Sequence, residues 1–203
     1  MNYKIKSFRF GQLILENEPE YKIIWNELCQ MLDEIKDNEI IDMHESYATP
    51  PKGLAPALNK LLKRKFETIG WKPESRIFND KEYGNKAWRL DFAKDAISVE
   101  VSFNHGEAIA WNLLKPTIAS ELNHVKKDIK TDVGIIICAT KDLKKFGGFD
   151  NSTGEFEKFE RYLDPLRNML TVPVVIIGLD KPVTFIIEHK KEGKNFRGIV
   201  KTI

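Results

Sequence analysis

From Glu20 to Lys36 the apolar residues Ile23, Ile24, Trp25, Leu28, Met31, Leu32 and Ile35 recur at intervals of three and four, which predicts an amphipathic helix packed along one face. HESYATPPKG, His44 to Gly53, has two prolines and a glycine and reads as a loop. Pro56 then suits an early position of a second helix, which ends at Gly70 and carries Lys60, Lys63, Arg64 and Lys65. From Trp71 the period changes to two, with strand-like runs at Arg76–Asn79, Ala87–Phe92 and Ala96–Phe103, the last two close enough to form a hairpin. A long helical pattern from Glu107 to Lys130 contains Pro116, which is expected to kink or divide it. VGIIICAT, Val133 to Thr140, is apolar and β-branched almost throughout, as a strand buried on both faces must be. The Gly-rich loop KKFGGFDNSTG follows, then a helix over Glu155–Leu170 broken near Pro165, a second buried strand over Val172–Leu179, and a final strand over Val183–Glu188 leading into a basic tail. Strands followed by helices alternating with buried strands predict a mixed sheet with helices on its faces, an α/β or α+β sandwich.

Length adds that residues 1–203 form one domain, because 203 residues is a little over one typical domain and no repeat or Pro/Gly/Ser linker divides the chain. That domain includes an N-terminal helical part, about residues 1–50. With 42% hydrophobic and 31% charged residues the chain can bury a core, and its formal charge of +2 gives no global signal for a nucleic acid or an acidic partner. Cys29 and Cys138 have no CxxC partner and no Cys/His cluster, so neither a disulfide framework nor a structural zinc site is expected. MNYKIKSFRF has charges where a signal peptide carries its apolar core, and no apolar run reaches the roughly 18 residues of a membrane span. A soluble cytoplasmic protein is the expectation. GxGxxG after a strand, GxxxxGK[ST], HExxH and GxSxG are all missing from the sequence, which leaves the usual nucleotide-binding and hydrolase motifs without support.

The chemistry concentrates in WRLDFAKDAISVEVSF, Trp88 to Phe103. With Ala93–Ala96 as the turn, Phe92 faces Ile97, Asp91 faces Ser98 and Arg89 faces Glu100. Alternation then puts Arg89, Asp91, Ser98, Glu100 and Ser102 on one face, and Phe92, Ile97, Val99, Val101 and Phe103 on the other. Two carboxylates diagonal on a polar face, with a main-chain oxygen, are what a hard cation such as Mg2+ prefers. An Asp and a Glu on a solvated hairpin with Arg89 opposite Glu100 are also ordinary cross-strand pairing, and pattern alone favours that reading.

The spacing Asp91-(eight residues)-Glu100-x-Ser102 resembles the PD-(D/E)xK nuclease motif, and DFAKDAISVEVSF is similar to the corresponding hairpin of type II restriction endonucleases of the BglII and BstYI family. The likeness extends in order from PALNKLLKRKFETIGWK, Pro56 to Lys72, to TVPVVIIGL, Thr171 to Leu179. It implies a restriction-endonuclease-like fold in which Asp91, Glu100 and the carbonyl of Val101 hold Mg2+, while Glu74 orients a water for in-line hydrolysis of a DNA phosphodiester that leaves a 5'-phosphate. Without the resemblance, Glu74 is a solvated loop glutamate. Ser102 is the departure: the general motif has Lys there and the BglII group Gln, whereas a serine hydroxyl carries no charge.

The resemblance also implies that the loop after the buried strand reads bases, which here is GGFDNSTG with Asp150, Asn151, Ser152 and Thr153; Asn and Ser suit base edges, although the same residues build ordinary turns. Asn104 and His105 are second candidates. Phosphate contacts are expected from Lys60–Lys65, Lys126–Lys130, Lys141–Lys145 and Lys190–Lys201. Double-stranded DNA with a short, GATC-centred palindrome, a homodimer, no membrane and a cognate DNA methyltransferase in the host complete what the resemblance implies. The apolar positions Ile109, Trp111, Leu113, Leu114, Ile118 and Leu122 are expected at the dimer contact. A structure-selective or repair nuclease of the same fold, or a DNA-binding module that has lost hydrolysis, are the rival readings.

Overall fold

The computed structural model describes residues 1–120, 126–193 and 195–203. In chain order the elements are β1 (Tyr3–Phe8), α1 (Gly11–Asn17), α2 (Pro19–Asp33), α3 (Asp37–Glu45), α4 (Ala55–Thr68), β2 (Lys72–Arg76), β3 (Arg89–Lys94), β4 (Ile97–Ser102), α5 (Ile109–Ser120), β5 (Val133–Ala139), α6 (Lys141–Phe146), α7 (Phe156–Leu163), β6 (Val174–Leu179), β7 (Phe185–Glu192) and β8 (Asn195–Thr202). Six strands form one sheet in the order β1-β6-β5-β4-β3-β2, and β7 pairs with β8 in a separate ribbon. β5 runs parallel to both its neighbours, β4 and β6, while β1, β3 and β2 continue the sheet antiparallel at its two sides.

The two central strands decide the layering. Every residue of β5 and β6 is buried. Ile135 and Ile137 join the core formed with α2, α3 and α4, whereas Ile136 and Cys138 point the opposite way, to Ile109 and Leu113 of α5 and Phe156 and Phe159 of α7. The predicted mixed sheet between helices is therefore the observed fold. α4 is anchored by Phe66, fully buried, which stacks on Phe92 of β3 at 4.6 Å and meets Trp71 edge-on at 5.3 Å. Phe66→Leu should lose this ring stacking and leave a gap, costing about 2 kcal/mol. Thermal unfolding should fall by about 4–8 °C, and an unchanged midpoint would show that α4 is not held this way.

Several boundaries differ from the sequence reading. The predicted first two helices are α2 and α4, but Ile23 of the α2 stripe is exposed, lying on the turn away from the core. His44 does not open a loop: it lies in the last turn of α3, buried, with its Nε2 3.1 Å from the Gly198 carbonyl. The strand expected at Arg76–Asn79 is β2, four residues earlier, because a sheet-edge strand with one buried residue carries little apolar alternation to mark it. The helix expected over Glu107–Lys130 is, among the described residues, α5. It is described over Ile109–Ser120, residues 121–125 of the expected helix lie outside the described residues, Lys127 forms an antiparallel bridge with Phe78, and Pro116 is accommodated inside α5. Gly134 permits this, since a Cβ there would lie 2.5 Å from Pro116 Cγ. The helix expected to Leu170 stops at Leu163, and the basic tail is β8. No helix among the described residues is long and apolar enough to cross a membrane.

Candidate active site

β3 and β4 are joined by a turn of only two residues, Asp95 and Ala96, with Asp95 in the left-handed region at φ 50°. The register is Phe92↔Val99, Ala93↔Ser98 and Lys94↔Ile97, two residues away from the expected pairing of Phe92 with Ile97. Because side chains alternate with a period of two, a shift of two leaves Ser98, Glu100 and Ser102 on their shared face and changes only their partners. Asp91 departs from it: the alternation breaks there, Leu90 packing with Ala119 of α5 and Phe92 on Phe66 of α4. Continued outward, this register sets Asp91 beside Glu100 instead of Ser98. There the ladder gives way to side-chain bonds. Val101 N–H donates to Asp91 Oδ2 at 2.8 Å, and Asp91 N–H donates to Glu100 Oε1 at 3.2 Å, so each carboxylate accepts a main-chain hydrogen from the opposite strand. Arg89 does not pair with Glu100; its guanidinium is 4.0 Å from Glu74.

The face carrying Ser98, Glu100 and Ser102 is polar but not solvated, because α5 covers it. Asn112 and Lys115, three apart and so on one side of that helix, both reach β4. Lys115 Nζ lies 2.5 Å from Glu100 Oε2, and Asn112 Nδ2 donates to the Ser102 hydroxyl at 2.8 Å. Ser102 in turn donates to Asn104 Oδ1 at 3.0 Å. Burial pushes the Glu100 carboxyl up to about 8; the charge of Asp91 adds to this and the Lys115 ammonium opposes it. Asp91 is also pushed up, chiefly by burial with the Glu74 charge adding, against the Val101 N–H and Lys115.

Glu74 lies in β2 between the Pro73↔Phe92 and Ser75↔Leu90 pairs, across from Asp91. Its φ of 50° is a backbone conformation rarely taken by a side-chain-bearing residue, and such strain is concentrated where a fold commits a residue to a site. Glu74, Asp91 and Val101 line one open cavity of about 280 Å3, together with Asn59 and Lys63, which are four apart on α4. The donors here are carboxylate and main-chain oxygens, and besides burial the charge of Asp91 raises Glu100 and that of Glu74 raises Asp91, so they fit a hard divalent cation. Among the described residues no group of three or more His, Cys, Asp or Glu side chains is set to hold one ion, so a main-chain oxygen and solvent would have to complete its shell.

The residues suggested for reading DNA come together at a second place. Gly106 N–H donates to the Ser152 carbonyl at 2.7 Å, Gly154 N–H to the Asn104 carbonyl at 2.9 Å, and His105 bridges Thr153, so the two loops form one unit. Asn151 and Ser152 are exposed, whereas Thr153 is buried. The Asp150 carboxylate is engaged by Lys52 at 2.5 Å, which holds it below the usual carboxylate range. Ser152 and His105 open onto a cavity of about 680 Å3 that also presents Lys158, Arg161 and Tyr162. Gly53 fastens this loop from the other side, because a Cβ there would lie 2.2 Å from the Gly148 carbonyl oxygen.

Much of the expected basic charge is locally paired: Lys65 with Glu39, Lys144 with Glu155, Arg197 with Glu192 and Lys201 with Glu188. Of the apolar positions assigned to a dimer contact, Ile109 and Leu113 are spent in the core and Trp111 packs edge-on against Trp88 at 5.3 Å; Leu122 lies outside the described residues. Asn59, Lys158, Arg161, Tyr162 and Lys115 were not among the residues singled out from the sequence. Lys115 alone carried a signal, a single cation within the otherwise uncharged run IAWNLLKPTIAS.

No curated protein matches the chain. Among solved structures, a crystal structure of restriction endonuclease BglII complexed with a DNA 16-mer superposes with a TM-score of 0.68 at 18% identity, covering 100% of both chains. Free BglII superposes with a TM-score of 0.59 at 18% identity, again over 100% of both. These likenesses establish the sandwich as the restriction-endonuclease fold, and the model of the family described as restriction endonuclease BglII/BglIII matches residues 3–179, from the first residue of β1 to the last of β6. The chain thus belongs to the BglII/BglIII restriction endonuclease family and is a type II site-specific deoxyribonuclease.

Proposed function

We propose that the protein cuts duplex DNA at a short palindrome centred on GATC, with Mg2+, leaving 5'-phosphate and 3'-hydroxyl ends. The observation that carries this reading is the interlocked pair Asp91 and Glu100 at the open end of the β3–β4 hairpin, beside the cavity shared with Glu74. Asp91, Glu100 and the Val101 carbonyl would hold the cation, which when bound supplies positive charge to the phosphate and acidifies a water. Glu74, across from Asp91, orients the attacking water and accepts its proton. Lys63 and Asn59 at the cavity wall contact the DNA backbone. Asn151 and Ser152, presented outward, read base edges with Asn104 and His105 behind them, and Asp150 is kept in place by Lys52.

A palindrome is matched by a two-fold protein, so the working form is a homodimer that cuts both strands. In its host it acts in the cytoplasm and requires a methyltransferase that protects the same sites. The test is digestion of methylation-free plasmid DNA with Mg2+, sequencing of the ends, and sedimentation of the protein with the DNA. Discrete fragments with 5'-phosphate ends and a dimer on the DNA are expected. Plasmid left intact with both Mg2+ and Mn2+ would replace this reading by that of a DNA-binding module, and cutting only at flaps or junctions by that of a structure-selective nuclease.

A further inference from the structure

Ser102 stands where the general motif has its lysine, yet it faces away from any role as a cation: its hydroxyl is taken up by Asn112 and Asn104, and it is buried. The only ammonium within hydrogen-bond distance of the carboxylate pair among the described residues comes from α5. Lys115 is 8% exposed and its Nζ is 2.5 Å from Glu100 Oε2, on the side of that carboxylate opposite the bond from Asp91 N–H. Lysine is among the residues least often buried, and a buried ion pair adds little to stability compared with apolar residues of the same volume. Its placement between α5 and the reactive end of β4 therefore calls for a reason beyond folding. Glu100 can keep one geometry only if both its oxygens are held: the strand holds Oε1, and Lys115 holds Oε2.

We propose that Lys115 is a positioning residue of the active site, acting through Glu100, and that α5 delivers here the positive charge that the strand lacks at Ser102. It fixes the rotamer of Glu100 in a site from which water is largely excluded. Asn112, one turn earlier on the same face, occupies the Ser102 hydroxyl and so completes the seam between α5 and β4. The proposal rests on the nuclease reading above.

The test uses the full chain, methylation-free plasmid DNA and four proteins: wild type, Lys115→Met, Lys115→Arg and the double variant Ser102→Lys/Lys115→Met. Single-turnover cleavage is measured with Mg2+, DNA binding with Ca2+ in place of Mg2+, and folding by thermal melting. Lys115→Met should cut about 100-fold more slowly, while binding DNA within about threefold of wild type, since Lys115 is inside the seam and not on the DNA-facing surface. Lys115→Arg should recover part of the rate, and a lysine on the strand in the double variant should raise it at least about tenfold above Lys115→Met. Cleavage by Lys115→Met at the wild-type rate overturns the proposal. So does a joint fall of melting temperature, DNA binding and cleavage that the strand lysine does not reverse, including outright failure of both Met variants to fold, because that is the behaviour of a counter-ion needed only for structure. Wild-type protein that cuts nothing with Mg2+ or Mn2+ overturns the nuclease reading itself, and this proposal with it.

Discussion

Asp91→Asn and Glu100→Gln should each reduce plasmid cleavage by at least about three orders of magnitude while leaving the protein folded. The amides keep the shape of the acids, and in Asp91→Asn the side-chain carbonyl oxygen can still accept the Val101 N–H, so the local bond that ties β3 to β4 survives. What is lost is negative charge. The pair is arranged so that each carboxylate is tied to the opposite strand by one main-chain hydrogen, which orients it. For Glu100→Gln a modest loss of stability should accompany the catalytic loss, because Lys115 and Asp91 N–H both donate to that side chain and an amide offers one acceptor oxygen in place of two. DNA binding in Ca2+ then separates the two effects: protein that still binds plasmid but does not cut it has lost chemistry and not fold. Either variant cutting within tenfold of wild type would remove that residue from the mechanism.

The parts of this architecture that were legible in the sequence are those where burial is one-sided or complete. β5 and β6 are unbroken apolar runs, and the stripes of α2 and α4 repeat at helical spacing, so their place in the core follows from the side chains alone. The hairpin shows why the site was also partly legible. Its turn is two residues and not four, so every cross-strand partner named from the sequence was wrong, yet the even shift left Ser98, Glu100 and Ser102 on one face, while Asp91 lines a cavity on the α4 side with Val101. What could not be read was whatever covers that face. α5 is apolar enough to look like a packing helix, and nothing in one sequence says that Asn112 and Lys115 turn toward β4 while Ile109 and Leu113 turn toward β5 and α7. The face taken to be solvated is a buried polar seam for this reason. The extended helix to Lys130 failed for a related one: charged residues at helical spacing do not distinguish a solvated helix from a solvated loop, and Lys127 is placed by its bridge with Phe78 and by the Phe78 ring beneath its ammonium, both long-range contacts. His44 is similar, a polar residue in a Pro-rich stretch that is buried only because the β7–β8 ribbon folds back on it.

The same seam makes the protein sensitive to pH in a direction opposite to that of most carboxylates. Burial holds the Glu100 carboxyl at about 8 in the folded protein, above its ordinary 4.5, so the folded state binds the proton more tightly than the unfolded chain. Its contribution to stability is therefore fully present below about pH 4.5 and is lost as pH rises through about 8. Asp91 is displaced in the same direction, and Lys115 resists the change at Glu100 without being its largest cause. In metal-free protein the melting temperature should accordingly fall between pH 6 and pH 8.5, and Glu100→Gln should flatten that slope. A divalent cation requires the same oxygens to be free of protons, so its binding releases a proton and strengthens as pH rises. Mn2+ affinity, measured by titration of the DNA-free protein, should increase by about tenfold for each pH unit from 6 to 8, or on the order of 100-fold in all, before levelling off. Added Mn2+ should then raise the melting temperature at pH 8.5 far more than at pH 6, reversing the order of stability seen without metal. Affinity that does not change over this interval would mean that Glu100 is already ionised through its contact with Lys115, and the pH dependence of cleavage would have to be assigned to another group.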